Sequence, residues 1–262
     1  MRTATVNGAE LHYADQGPRD GKAVVFANSL GTDFRLWDAL LPHLPPGLRL
    51  VRYDMRGHGL SQETPGPYSI GQLADDVAGL IGHLSLSDVV FVGLSIGGLV
   101  GQSLAARRGG LLRGLVISNS AAKIGDAEVW QARIGAIRDG GIRAIAEPTM
   151  DRWFSPAFRA SGADAPWRRM LERQSVAGYI ACCEAIAAAD LRHATAKLAL
   201  PVQLIGGGAD GATPPETVQA TANLITAARL EVMAGAGHLP CVEAPKAYAD
   251  ILIRFLKELG HV

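Results

Sequence analysis

The sequence predicts an α/β fold with a mostly parallel central sheet flanked by helices, and three observations carry that prediction. Short, solidly apolar runs bounded by Gly, Asp and Pro recur along the chain, as strands covered on both faces require. Amphipathic segments of helix length separate these runs. One long central stretch has helical patterning only, which marks an insertion rather than another strand-helix unit.

Taken in order, Arg2 to Val6 and Glu10 to Ala14 alternate in polarity on either side of Asn7-Gly8, a strong hairpin signal. The buried-strand candidates are Ala23 to Ala27, Leu48 to Tyr53, Val89 to Val92, Leu115 to Ile117, Val202 to Ile205 and Leu230 to Met233. Ser69 to Leu84 places Ile70, Leu73, Val77, Leu80 and Ile81 at helical spacing, and Gly98 to Arg107 is a second helical segment. From 122 to 196 no strand is evident, and the segment is rich in Trp and Arg. The strand-helix rhythm resumes at Pro201. The predicted organisation is therefore a core of residues 1–121 and 197–262 with a helical cap inserted at 122–196.

Composition narrows the function. Hydrophobic residues make up 48% and charged residues 19%, enough for a large core. The 25 basic residues balance the 25 acidic ones, so no basic field exists to hold nucleic acid or an anionic membrane surface. A small-molecule partner is expected. The first residues carry no apolar run of signal-peptide length, and the apolar region of 77–106 is broken by His83, Asp88 and glycines, which excludes a membrane span there. Cys182, Cys183 and Cys241 are read as buried, inert thiols, and a cytoplasmic location is expected.

The chemistry resides in Gly93-Leu94-Ser95-Ile96-Gly97, which follows an apolar strand and precedes a helical pattern. This is the G-x-S-x-G nucleophile elbow of the α/β-hydrolase fold in the setting that gives it meaning. A serine hydroxyl needs a base to take its proton. His238, in the glycine-rich loop after the last apolar strand, sits where open α/β sheets gather their chemistry. His58 competes but precedes the serine, the wrong chain order, and is read as bracing its loop. Asp210 follows another strand and completes the order Ser, Asp, His; Asp126 is the lesser alternative. Oxyanion donors are expected from the backbone amides of Ile96 and Leu30, each worth about 3 kcal/mol. Asn28, at the start of the Leu30 loop, is a substrate-side candidate whose amide could instead brace the turn. The glycines at 206 to 208 lack the Gly-Lys-Ser/Thr of a phosphate loop.

Several stretches together resemble the 3-oxoadipate enol-lactonase family. They are Asn28 to Asp33 with Trp37-Asp38, Asp54 to Ser61, and Gly93 to Gly98 in the core. In the cap they are Ala121 to Gly125, Trp130 to Ile134, Arg152 to Pro156 and Gly178 to Cys183. The resemblance spans nearly the whole chain. It implies cleavage of a small unsaturated lactone with an acetate arm, within aromatic catabolism, through an acyl-enzyme and without metal or organic cofactor. Trp130 and Arg133, three apart on one helical face, are the candidates to wall the lactone and meet its carboxylate. Arg143 and Arg152 are the fallbacks, and Trp153 and Phe154 are assigned to the cap core. Other readings stay open at this stage: a general small-ester or ring-cleavage-product hydrolase, or a ligand-binding receptor that keeps the triad. Ser95 disfavours the aspartate-nucleophile enzymes of the same fold.

Overall fold

The computed structural model describes residues 1–262. Eight strands form one sheet in the order β1-β2-β4-β3-β5-β6-β7-β8. They are β1 (Arg2–Val6), β2 (Ala9–Gln16), β3 (Ala23–Ala27), β4 (Arg49–Tyr53), β5 (Val89–Leu94), β6 (Leu112–Ser118), β7 (Val202–Gly207) and β8 (Ala228–Met233). β2 runs antiparallel to both β1 and β4, and the remaining pairs are parallel. Asn7 and Gly8 both hold positive φ, 45° and 74°, so the β1–β2 connection is the two-residue turn that suits a right-twisted hairpin. β3 and β5 are buried at every position, as strands covered on both faces must be.

The helices are α1 (Ile70–His83), α2 (Ile96–Arg108), α3 (Ala127–Gly140), α4 (Ala146–Trp153), α5 (Pro156–Ala160) and α6 (Ala165–Glu172). They continue with α7 (Val176–Ala187), α8 (Arg192–Thr195), α9 (Pro215–Ala222), α10 (Pro240–Glu243) and α11 (Pro245–Glu258). Ser69 caps α1 by accepting the Gln72 N–H. α2 begins at Ile96, two residues before the apolar pattern suggests, because the elbow leads straight into the helix.

Six helices and no strand occupy the chain between β6 and β7. The two ends of this excursion are pinned to the sheet layer. Leu191 N–H donates to Ala122 O at 2.8 Å, and Gln102 on α2 binds both ends. Its amide donates to Ala121 O at 3.2 Å, and its carbonyl accepts the Thr195 hydroxyl at 2.8 Å.

Strand order sets the site. β3 is flanked by β4 on one side and β5 on the other, so the connections leaving the carboxyl ends of β3 and β5 diverge and open a crevice. The Asn28–Gly31 loop leaves β3 there, and Ser95 leaves β5. No helix is long and apolar enough to cross a membrane.

Candidate active site

Ser95 sits between β5 and α2 with φ 58° and ψ −118°, a strained backbone for a residue with a side chain. The turn is held by Ser95 N–H donating to Ser118 O at 2.9 Å and by the Ser120 hydroxyl donating to Ser95 O at 2.6 Å. Its tightness explains the flanking glycines. A Cβ at Gly93 would lie 2.1 Å from Gly97 O, and one at Gly97 would lie 2.4 Å from Ala27 O. Neither position admits a side chain without moving backbone.

His238 follows β8 and the Ala234–Gly237 segment and is 1% exposed. Its Nδ1 lies 2.8 Å from Asp210 Oδ2. Asp210, after β7, is among the most fully satisfied carboxylates in the chain. Oδ1 accepts the Ala212 and Thr213 amides at 2.7 and 3.0 Å. Oδ2 accepts the Thr213 hydroxyl at 2.8 Å and Asn119 Nδ2 at 2.9 Å besides facing His238. Burial pushes this carboxyl up, but the His238 charge and the hydrogen bonds outweigh it and hold the group below its ordinary value. With Asp210 ionised, Nδ1 of His238 carries the proton and Nε2 is free to act as a base.

Asn119 and Thr213 escaped sequence reasoning. Asn119 follows β6 with φ 46° and also donates to Gly237 O at 3.2 Å, so one amide spans the acid and the histidine loop. Its signal was the polar trio Ser118-Asn119-Ser120, all fully buried at the carboxyl end of an apolar strand. The histidine loop has further supports. His238 N–H donates to Trp153 O at 2.7 Å. Glu243 accepts the Gly237 amide at 2.8 Å and the Ser155 hydroxyl at 2.5 Å, tying the loop to the chain between α4 and α5.

Ser95 and His238 open together on a cavity of about 100 Å³. Leu30, Trp130, Arg133, Arg152, Trp153 and Tyr179 are among its other walls. The Leu30 N–H donates to no backbone carbonyl. Ile96, fully buried, opens α2, and the first amides of a helix have no intrahelical acceptor. Arg133 is half-buried: Nη2 donates to Thr149 Oγ1 at 2.8 Å and to the Tyr179 hydroxyl at 2.6 Å. Trp130 Nε1 donates to Ile124 O at 2.7 Å, which fixes its ring at the cavity wall. Neither Arg133 nor Arg152 has a carboxylate partner, so the cavity presents two unneutralised cations.

Three expectations need correction. Asn28 does not face the cavity: its amide is consumed by Tyr53 O at 2.8 Å and by Trp37 Nε1 at 2.9 Å, so it braces the β3 loop from within. Trp153, assigned to the cap core alone, is buried in that core but also walls the cavity, while Phe154 stacks on Phe158 as core. Arg143 is exposed and away from the site. Asp126 caps α3 by accepting the Val129 amide at 3.0 Å and plays no part. His58 is buried in its loop, with Nδ1 only 3.4 Å from Arg56 O. His261, near the chain end, is buried and binds Ala23 O at 3.0 Å. A larger cavity of about 400 Å³, walled by Phe34, Arg35, Met170 and Arg173, holds no nucleophile beside a base.

Residues 24–251 match the model of the alpha/beta hydrolase family. The chain is 37% identical to 3-oxoadipate enol-lactonase 2 of Acinetobacter baylyi over 98% of its own length and 97% of that protein. Its structure is similar to the enol-lactonase from Burkholderia xenovorans LB400, with TM-score 0.94, 37% identity and coverage of 98% and 100%. A thermophilic esterase from Thermogutta terrifontis superposes with TM-score 0.93 at 27% identity, covering 100% of both chains.

Proposed function

The chain belongs to the alpha/beta hydrolase family, among the 3-oxoadipate enol-lactonases, and from that premise we propose that it hydrolyses 3-oxoadipate enol-lactone to 3-oxoadipate. The observation that carries the reading is a single cavity in which a strained serine and a carboxylate-oriented histidine meet two arginines without acidic partners. A neutral ester would need the serine and histidine alone. Cations left unpaired beside them suit a substrate that brings its own carboxylate.

In the proposed reaction Ser95 Oγ attacks the lactone carbonyl carbon while His238 Nε2 takes its proton. Asp210 holds Nδ1–H and stabilises the imidazolium that forms. The Leu30 and Ile96 amides receive the oxyanion. Collapse breaks the ring C–O bond, and the departing enol oxygen recovers the proton from His238 and tautomerises to the 3-keto group. Enolate is a better leaving group than alkoxide, so this proton transfer need not run ahead of bond cleavage. Water, deprotonated by His238, then releases the second carboxylate from Ser95. The substrate is a small anion, and the sequence offers no basic surface for nucleic acid. A cytoplasmic location is part of the proposal, supported by three unpaired thiols.

The test is loss of the enol-lactone's ultraviolet absorbance with wild-type and Ser95→Ala protein, with a simple aryl ester as comparator. Many turnovers of lactone per protein, abolished in the variant and faster than the ester, are expected. Serine-dependent ester cleavage without lactone turnover would keep the nucleophile and overturn the substrate. Turnover of neither would point to a binding protein on the same fold.

A further inference from the structure

Tyr179, on α7 in the cap, is 1% exposed yet forms part of the cavity wall. Its ring reaches the Leu30 loop: a Cβ at position 31 would lie 3.0 Å from Tyr179 Cε2 and 2.6 Å from a Leu171 methyl. Gly31, with φ 83°, leaves that space open, so the ring bridges the cap and the loop beside the nucleophile. The other end of the side chain meets Arg133. The phenol oxygen accepts Nη2 at 2.6 Å and Nε at 3.2 Å.

These two bonds occupy both lone pairs of the phenol oxygen and leave its proton without an acceptor in the protein. They also consume the Nε/Nη2 face of Arg133, the face that ordinarily grips a carboxylate two-pronged. Nη1 of Arg133 makes no bond to the protein. A phenol accepting two bonds from a cation is polarised into a stronger donor. Two unused donors, one charged and one neutral, therefore belong to residues that line the same cavity.

We propose that the Tyr179 hydroxyl and Arg133 Nη1 form a two-residue clamp on the acetate arm of the substrate, with Tyr179 touching the carboxylate directly. The clamp deepens the lactonase reading and rests on it. Selectivity for an arm bearing a free carboxylate over the same arm as an ester then comes from both residues, and the guanidinium is only half of it.

Binding tests this without turnover. In a Ser95→Ala background, the saturated lactone with the same acetate arm and its methyl ester are titrated by calorimetry against otherwise unchanged, Tyr179→Phe, Arg133→Met and doubly substituted protein. Tyr179→Phe is expected to weaken the acid roughly 10- to 100-fold, the range for a lost bond to a charged group, and to leave the ester within about twofold. In the Arg133→Met background the phenol should still confer a several-fold preference for acid over ester, lost on adding Tyr179→Phe. Equal weakening of acid and ester by Tyr179→Phe would reduce the tyrosine to a packing role. No preference in Arg133→Met alone would mean that Tyr179 acts only by holding the arginine, and either result overturns the clamp. Arg133→Met alone gives that decision should Tyr179→Phe not fold. If the clamp holds in binding while the enol-lactone itself is not hydrolysed, the lactonase reading falls and the carboxylate site stands.

Discussion

At the scale of single residues, the site is defined by hydrogen bonds that leave few alternatives. Asp210 accepts from two amides, a hydroxyl and a side-chain amide before it meets His238, so its carboxylate plane is fixed before substrate arrives. Asn119 is the support that also reaches Gly237 O. Asn119→Ala should lower kcat about 10- to 100-fold, the usual cost of losing a partner that orients a reacting group, with KM nearly unchanged. Steady-state kinetics on the lactone checks this; a rate within twofold of wild type would remove Asn119 from the account. Ser95 was legible because its glycines are a steric requirement visible in sequence. Asn119 was not, because the polar run Ser118-Asn119-Ser120 marks a strand end but does not show that it lies beside an aspartate 91 residues later.

Among elements, the most informative connection is between the histidine loop and the cap. Trp153 O, Ser155 and Glu243 join the end of α4, the start of α5 and the last residue of α10 to the loop that carries His238. Cap position and histidine position are therefore set together. Glu243→Gln keeps the shape but replaces one acceptor oxygen with a donor facing the Gly237 amide or the Ser155 hydroxyl. The expected result is faster amide hydrogen exchange at Gly237 and His238 together with a kcat reduced several-fold. Exchange unchanged at those amides would show that the loop is held by the Trp153 carbonyl without the glutamate. The core strands and α1 were readable from apolar period and capping. The exact start of α2 was not, since the elbow's own residues belong to no periodic pattern.

On the scale of the whole molecule, stability depends on pH through buried groups outside the reaction. Burial pushes the His58 imidazole down to about 4 from 6.5, against the opposing pull of the Arg56 carbonyl and the Asp33 charge. The unfolded chain takes up this proton as pH falls through 6.5, whereas the folded protein does not until about 4. Stability contributed by the neutral histidine is thus whole above pH 6.5 and is lost progressively on acidification, on the order of 3 kcal/mol by pH 4. Urea unfolding of wild type and His58→Asn between pH 7.5 and 4.5 should show a shallower decline in the variant. Parallel curves would mean that His58 gains a proton in the fold more easily than its burial dictates.

The sequence by itself determined the strand-helix order, the elbow and the chain order of serine, aspartate and histidine, because each follows from local sterics or short-range period. Only the tertiary structure decided what surrounds them. Asn28 turns inward to Trp37 and Tyr53, Trp153 turns outward to the cavity, and Tyr179 closes on Arg133 across 46 residues of chain. Side-chain direction in the cap is set by which helix packs against which strand end. That choice depends on contacts between distant segments, which no local pattern records.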